Sequence, residues 1–266
     1  MRPTFTRLVH APVLWYGLLC WLLLVITAVR SQPIVPPRDS WRSLALMGFV
    51  GVFVHQMIQA HALTMTTAVN TGWLIGLTPV WSALLSAWVL RERFGPFKIA
   101  GLVLGFLGAA LVVTRGRLGA GLLALPQTRG DLMILASTLN WAVYTVLGHP
   151  AIKRLGPTRA TTGALSLGWL MLVPFFVYTA GWREYPRLSV VGWAAVLFLG
   201  IACSGLGYLF WYGALERIEA SKVAAFLYLE PLVTLAAAAV LLGESVSVTT
   251  VVGGMLVLVG VALVQR

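Results

Sequence analysis

The sequence predicts an all-α fold, a polytopic membrane bundle of about nine spans arranged as two inverted repeats. Three observations carry this: an apolar composition, an internal repeat at one constant offset, and an uneven distribution of basic residues. Of 266 residues, 59% are hydrophobic and 10% charged, and mean hydropathy is +0.89. A soluble domain of that composition would lack the polar surface to cover itself.

Runs near the roughly 20 residues needed to cross a bilayer as a helix fall at 12–29, 43–63, 72–90, 97–114, 130–148, 161–181, 190–215, 223–242 and 248–264. Between Arg42 and Arg91 no formal charge occurs, a stretch too long for one span. The segment from Thr66 to Gly72 is the natural turn inside it. Arg2 and Arg7 precede the first run, but that run is long for a signal peptide and Arg30 follows without a small-x-small site, so the sequence predicts a retained span.

The repeat has an offset of 152. It pairs Arg7 with Arg159, Trp41 with Trp193, Gly48 with Gly200, Pro79 with Pro231, Glu92 with Glu244, Gly101 with Gly253 and Gly108 with Gly260. Leu and Val matches mean little in so apolar a chain; Pro, Trp, Gly, Glu and Arg matches at one offset are hard to obtain by chance. Duplication of a membrane unit points to transport. The division expected is residues 1–115, with four spans, and residues 129–266, with five. The counterpart of the span at 130–148 would precede Met1, so the first repeat is expected to lack its first helix, either natively or because the start lies further upstream.

Charge supplies the orientation. Tallied alternately from loop to loop, twelve of the nineteen Lys and Arg residues fall on one side and seven on the other. The richer side is expected to be cytoplasmic, which places the N-terminus outside and the C-terminus inside a cytoplasmic (inner) membrane. The matched loops 91–98 and 243–248 then lie on opposite faces, the first with Arg91, Arg93 and Lys98, the second with no Lys or Arg. That is the pattern of an inverted-topology repeat. The net charge of +11 is dispersed in short clusters without a basic stripe, which argues against nucleic acid and for contact with anionic lipid. Cys20 and Cys203 fall inside apolar runs and read as packing residues.

The run Thr78-Pro79-Val80-Trp81-Ser82-Ala83-Leu84-Leu85 through Leu90-Arg91-Glu92-Arg93-Phe94, with Gly101 and Gly108, resembles the conserved run of the EamA-type drug/metabolite transporter superfamily. Its second copy, Leu229-Glu230-Pro231-Leu232 with Leu241-Leu242-Gly243-Glu244, Gly253 and Gly260, is more similar still. Gly130-Asp131-Leu132 and Asn140-Trp141-Ala142-Val143-Tyr144 resemble the opening helix of that family's domain. The resemblance covers nearly the whole chain. It implies a ten-helix bundle of two inverted five-helix repeats around a central cavity, moving small metabolites by alternating access.

Within the spans, Glu230 is the one carboxylate placed well inside, about 12 Å deep at ~1.5 Å per residue. It is expected to line a wet cavity, to carry a proton, or to stay hydrogen-bonded beside Pro231. Pro79 and Pro231 each interrupt a span, as a kink, hinge or source of exposed carbonyls. Ser82 and Ser86 share the Thr78 face at spacings of four, and Phe226 and Thr234 stand likewise around Glu230. His55 and Gln59 share a face in the second span; His61 is about 240° round from His55, which argues against a metal site and leaves a polar cavity wall or interhelical hydrogen bonding. Asn140 with Tyr144, and Ser204 with Tyr208 and Trp211 or Tyr212, follow the same spacing as cavity walls or lipid-facing aromatics. The glycines at 101, 105, 108, 253 and 260 are expected to allow close helix packing, and Glu92 and Glu244 to act as capping or interfacial charges.

The expected function is secondary transport, export of amino-acid-like or drug-like compounds by alternating access, driven by a gradient such as that of protons or by exchange, around Thr78, Glu230 and the histidine–glutamine face. The expected partners are a small-molecule substrate and the lipid bilayer, with a homodimer left open and no nucleic acid, cofactor or metal. A non-transporting subunit or an inactive truncated transporter stays open as an alternative. An intramembrane enzyme is disfavoured, because the sequence has no HExxH, no GxSxG and no intramembrane Asp.

Overall fold

The computed structural model describes residues 13, 17, 20, 36–66, 68–114, 129–187, 189–233, 236 and 248–266. Most of the expected span at 12–29 lies outside these residues, as do Thr234 and Glu244, and the side chain of Ser204 is likewise outside the description. The described chain is all-helical. We label α1 (Arg38–Ala62), α2 (Ala68–Ile75), α3 (Thr78–Val89), α4 (Pro96–Thr114), α5 (Arg129–Leu155), α6 (Pro157–Tyr178), α7 (190–217), α8 (Ala220–Ala225) and α9 (Val248–Gln265). Among these, α1, α5 and α6 are long and apolar enough to cross a membrane, and α4 and α9 contain shorter apolar helices. Trp88, Phe210 and Val191 are 79%, 73% and 77% exposed, an outer surface suited to lipid rather than water.

The sequence offset is also an offset in backbone geometry. After π-helical turns at Phe49–Val54 in α1 and Phe198–Leu206 in α7, α-helix resumes at His55 and at Gly207, 152 residues apart. The starts of α2 and α8, Ala68 and Ala220, have the same separation, as do those of α4 and α9, Pro96 and Val248. The π-turns bear on one expectation. Ser204 lies in the π stretch, so the α-helical spacing that grouped it with Tyr208 does not apply across it.

The loop expected at 66–72 is shorter than the sequence suggested: the turn covers Leu63 to Met65, and α2 already begins at Ala68. Between α5 and α6 a single residue suffices, because Gly156 takes φ 77° and Pro157 supplies the first helical position.

The chain forms two compact units, Met1–Thr64 with Leu147–Ile218 and Met65–Val146 with Glu219–Arg266. In the first, α6 packs along α1 and α7. A Cβ on Gly48 would come within 2.5 Å of Ala164 O, and one on Gly168 within 2.5 Å of Val52, so small residues set that approach. Gly17 faces the ring of Trp169, its own counterpart at the 152 offset, and Trp169 Nε1 donates to Val13 O at 2.8 Å. At one end of this unit Arg154 donates to the Asp39 carboxylate.

In the second unit α4 and α9 run antiparallel in close contact. A Cβ on Gly101 would lie 2.5 Å from Gly260 O, and one on Gly108 2.6 Å from Gly253 O. The 152 offset exchanges these two contacts, turning 101 with 260 into 253 with 108. The glycines at 101, 108, 253 and 260, expected to permit close packing, therefore do so crosswise, each against the counterpart of the other. Ala109, Tyr228, Val257 and Val261 form the core beside this seam.

Candidate functional site

In the second unit each repeat carries one interrupted span. The chain leaves α2 at Ile75 and turns through Gly76 and Leu77, whose N–H groups donate to Gly72 O and Leu74 O at 3.3 and 3.1 Å. It then starts α3 at Thr78 with Pro79 second. Proline is well placed there, since an N–H at that position has no intrahelical acceptor. The sequence reading put Pro79 inside a continuous span; the structure puts the break one turn earlier and makes Pro79 part of a helix start. The second copy does the same by another route. Helix α8 tightens into the 3₁₀ turn Phe226–Leu229, and α-helix resumes at Glu230 with Pro231 next. Thr78 and Glu230 are 152 residues apart, so the two interruptions are one element used twice.

The 3₁₀ turn packs against α3, and buried polar groups gather on these two elements. Ser82 is fully buried, and its Oγ has no hydrogen-bond partner among the described residues; the same holds for Trp81 Nε1 and Tyr228 Oη. Buried groups of this kind are costly unless something pairs with them. Thr78 is buried and Glu230 exposed. Tyr228 was not singled out by sequence, because in a continuous helix it would stand about 200° round from Glu230. The available signal was Gly105, which has no glycine counterpart at Val257: a Cβ there would meet the Tyr228 ring at 2.5 Å, so Gly105 clears its seat. Phe226, expected on the Glu230 face, is exposed within the 3₁₀ turn, where four-residue spacing does not describe facing.

Of the remaining candidates in this unit, Tyr144 on α5 is fully buried against Trp141, ring centroids 5.4 Å apart, and Asn140 is half-buried. In the first unit His55 is buried at the start of the α segment that follows the π-turn of α1, with Gln59 half-buried one turn on. At the corresponding place on α7, Tyr208 is buried edge-on to Tyr212, 6.3 Å between centroids, and Trp211 is half-buried. Both sets follow directly on π-turns, which often mark functional sites.

A second polar cluster lies at one end of the second unit. The Glu92 carboxylate accepts from Ala220 N at 2.7 Å, from Ser221 N at 3.4 Å and from Ser221 Oγ, capping α8 across 128 residues of chain. Lys98 Nζ donates to Glu92 at 3.3 Å and to Glu219 at 2.8 Å, and lies 4.4 Å from the Phe94 ring centroid. Lys222 Nζ donates to Gln265 O at 3.0 Å nearby in sequence. Glu92 thus acts as a capping charge, as expected from its place at a helix end, but on a helix of the other repeat. Elsewhere in the unit Thr66 donates to the buried Asp131 carboxylate, and Gly130 lies against Met65.

A duplicated set of membrane helices, interrupted twice in the same register beside buried polar groups, defines the class of polytopic carriers assembled from repeats. Comparison with known proteins gives the family: the chain belongs to the EamA-like transporter family, which it matches over residues 10–114 and 128–266. It is 32% identical to an "Uncharacterized transporter" of Archaeoglobus fulgidus over 86% of this chain and 77% of that one. It is 30% identical to the "Uncharacterized transporter YyaM" of Bacillus subtilis, over 84% and 73%. A Streptantibioticus cattleyicolor protein named "Probable terminal-alkyne amino-acid exporter" is 29% identical over 91% and 79%. A solved crystal structure shares the fold with a TM-score of 0.76 at 18% identity, over 99% of this chain and 87% of that chain. The family is one of transporters and not of enzymes, and the chain is a multi-pass membrane protein.

Proposed function

We propose that the chain is a secondary transporter that exports small metabolites, amino-acid-like or drug-like, by alternating access of two inverted repeats, residues 1–115 and 129–266. The observation that carries this reading is the pair of interruptions at Thr78-Pro79 and Glu230-Pro231. Broken membrane helices offer backbone carbonyls and helix ends to a substrate near the bilayer midplane. Here they are accompanied by Ser82 and Tyr228, buried hydroxyls without a protein partner among the described residues. The inversion is supported by the antiparallel pairing of α4 with its counterpart α9.

The amino-acid-like class is supported by the chemistry of the site and by the name of the Streptantibioticus cattleyicolor relative. Hydroxyl donors suit a carboxylate, and Glu230 suits an ammonium or other cationic group. His55, Gln59, Tyr208 and Trp211, in the other unit, are proposed as a separate substrate-facing wall, and Asn140 with Tyr144 as a further one. The orientation with an external N-terminus and a cytoplasmic C-terminus rests on the charge tally, and the contact of Lys98 with both Glu92 and Glu219 supports its placing of the 91–98 and 217–222 loops on one side.

The test is reconstitution in liposomes with a panel of amino-acid-like and drug-like compounds under imposed gradients. The reading predicts saturable flux for at least one member. Glu230 is proposed as the group that couples a proton to that flux, so Glu230→Gln is expected to lose its pH dependence; a variant whose flux stays both pH-sensitive and undiminished would remove Glu230 from this role.

A further inference from the structure

An apolar groove of about 410 Å³ lies between α3 and α4, lined on α3 by Val80, Ala83, Leu84 and Ala87 and opposite them chiefly by Phe94, Ile99, Leu102, Val103, Phe106 and Leu107. Its walls are not closed over: Leu84, Ile99, Val103 and Leu107 are 57%, 52%, 53% and 49% exposed. Ile99 to Leu107 is eight residue steps, about 12 Å of helix. The groove therefore runs from the α3–α4 loop well into the span.

We infer that this groove is a binding site for an anionic phospholipid of the surrounding bilayer, with one acyl chain lying between α3 and α4 and the headgroup phosphate held by Arg91 and Arg93. The lining is apolar throughout, which suits a hydrocarbon chain and offers nothing to a polar ligand. At its loop end the charge changes character. Arg93 adjoins groove-lining Phe94 in the chain, and Arg91 stands at the end of α3; both are exposed and neither has an ion pair among the described residues. The intervening Glu92 does not neutralise them, because its carboxylate is taken up by Lys98, Ala220 and Ser221. Two arginines one and three residues before groove-lining Phe94 complement a phosphate joined to an acyl chain that lies in the slot.

The repeat strengthens the assignment. The counterparts of Arg91 and Arg93 at the 152 offset are Gly243 and Ser245, so the basic pair is confined to the loop whose charge the topology assigns to the cytoplasmic leaflet, where anionic headgroups are available to it. Arg91 holds φ 55°, a left-handed conformation in which glycine is the cheapest residue. The first repeat carries an arginine at this position, whereas the sequence of the second has Gly243 at the corresponding place.

The test uses the purified full-length protein in detergent, with phosphatidylglycerol and phosphatidylcholine of identical acyl chains as probes, read by native mass spectrometry and by thermal unfolding. The wild type is expected to take up phosphatidylglycerol at roughly 30-fold lower concentration than phosphatidylcholine, on the scale of two basic residues at an anionic headgroup. Arg91→Gln with Arg93→Gln is expected to remove that preference, and Val103→Trp, at an exposed groove position, to weaken uptake of both lipids. Arg91→Gly, which relieves the backbone, provides a variant expected to fold while losing part of the preference. Equal uptake of both lipids by the wild type overturns the site, as does a preference retained in the double variant. A Val103→Trp protein that changes from dimer to monomer while keeping its lipid preference assigns the groove to a second copy of the chain and equally overturns it.

Discussion

Gly105 and Tyr228 define each other: the ring occupies the space that a Cβ at 105 would take, 2.5 Å from Tyr228 Cδ2. Gly105→Val is therefore expected to destabilise the protein by about 1–3 kcal/mol through overpacking, and to displace the Tyr228 hydroxyl from the site. Tyr228→Phe keeps the packing and removes only the hydroxyl, so unfolding in detergent should hold near wild type while substrate affinity falls about 3- to 10-fold, the scale of one hydrogen bond. A matched loss of stability in Tyr228→Phe would mark the hydroxyl as structural. Thr78 and Ser82 were legible in the sequence because α3 is uninterrupted and four-residue spacing holds along it. Tyr228 was not, because one 3₁₀ turn changes which way a residue faces and sequence periodicity assumes a constant turn.

At the level of elements, the interrupted spans were legible only as prolines in apolar runs. The break itself falls at Gly76 and Leu77 in one repeat and in a 3₁₀ turn in the other. Since Pro79 stands at the start of α3, Pro79→Ala is expected to shift stability by less than about 1 kcal/mol, whereas a proline in a helix interior would cost about 3 kcal/mol. Thermal unfolding and flux measured together check this: unchanged stability with reduced flux assigns the break to function. The cap on α8 behaves differently. Glu92 and Lys98 have side chains only 7% exposed, so Glu92→Ala takes the acceptor from the helix N–H groups of α8 and leaves the Lys98 ammonium with Glu219 alone, and about 1–3 kcal/mol of destabilisation is expected in denaturant unfolding. The sequence identified Glu92 as a helix-end charge; that it caps a helix 128 residues further on depends on tertiary packing that no local pattern encodes.

For the whole molecule, the 152 offset carried the most information, and it reappears in the starts of α2 and α8, of α4 and α9, and in the paired π-turns. It told which helices are equivalent, not which pack together. Each compact unit draws on both halves of the sequence, so α4 lies against its own counterpart α9. Equivalence is written in residue types, whereas packing partners are chosen by complementary surfaces, here the glycines at 101, 108, 253 and 260. The central claim is that the two matched interruptions bind and move a small substrate. Its most direct measurement is flux of the compound selected from the liposome panel, compared between wild type and a Ser82→Ala, Tyr228→Phe double variant of equal stability. The account predicts saturable flux in the wild type and a loss of about tenfold or more in kcat/KM in the double variant, the scale of two hydrogen bonds; flux undiminished in the double variant, or no flux by the wild type for any member of the panel, would contradict it.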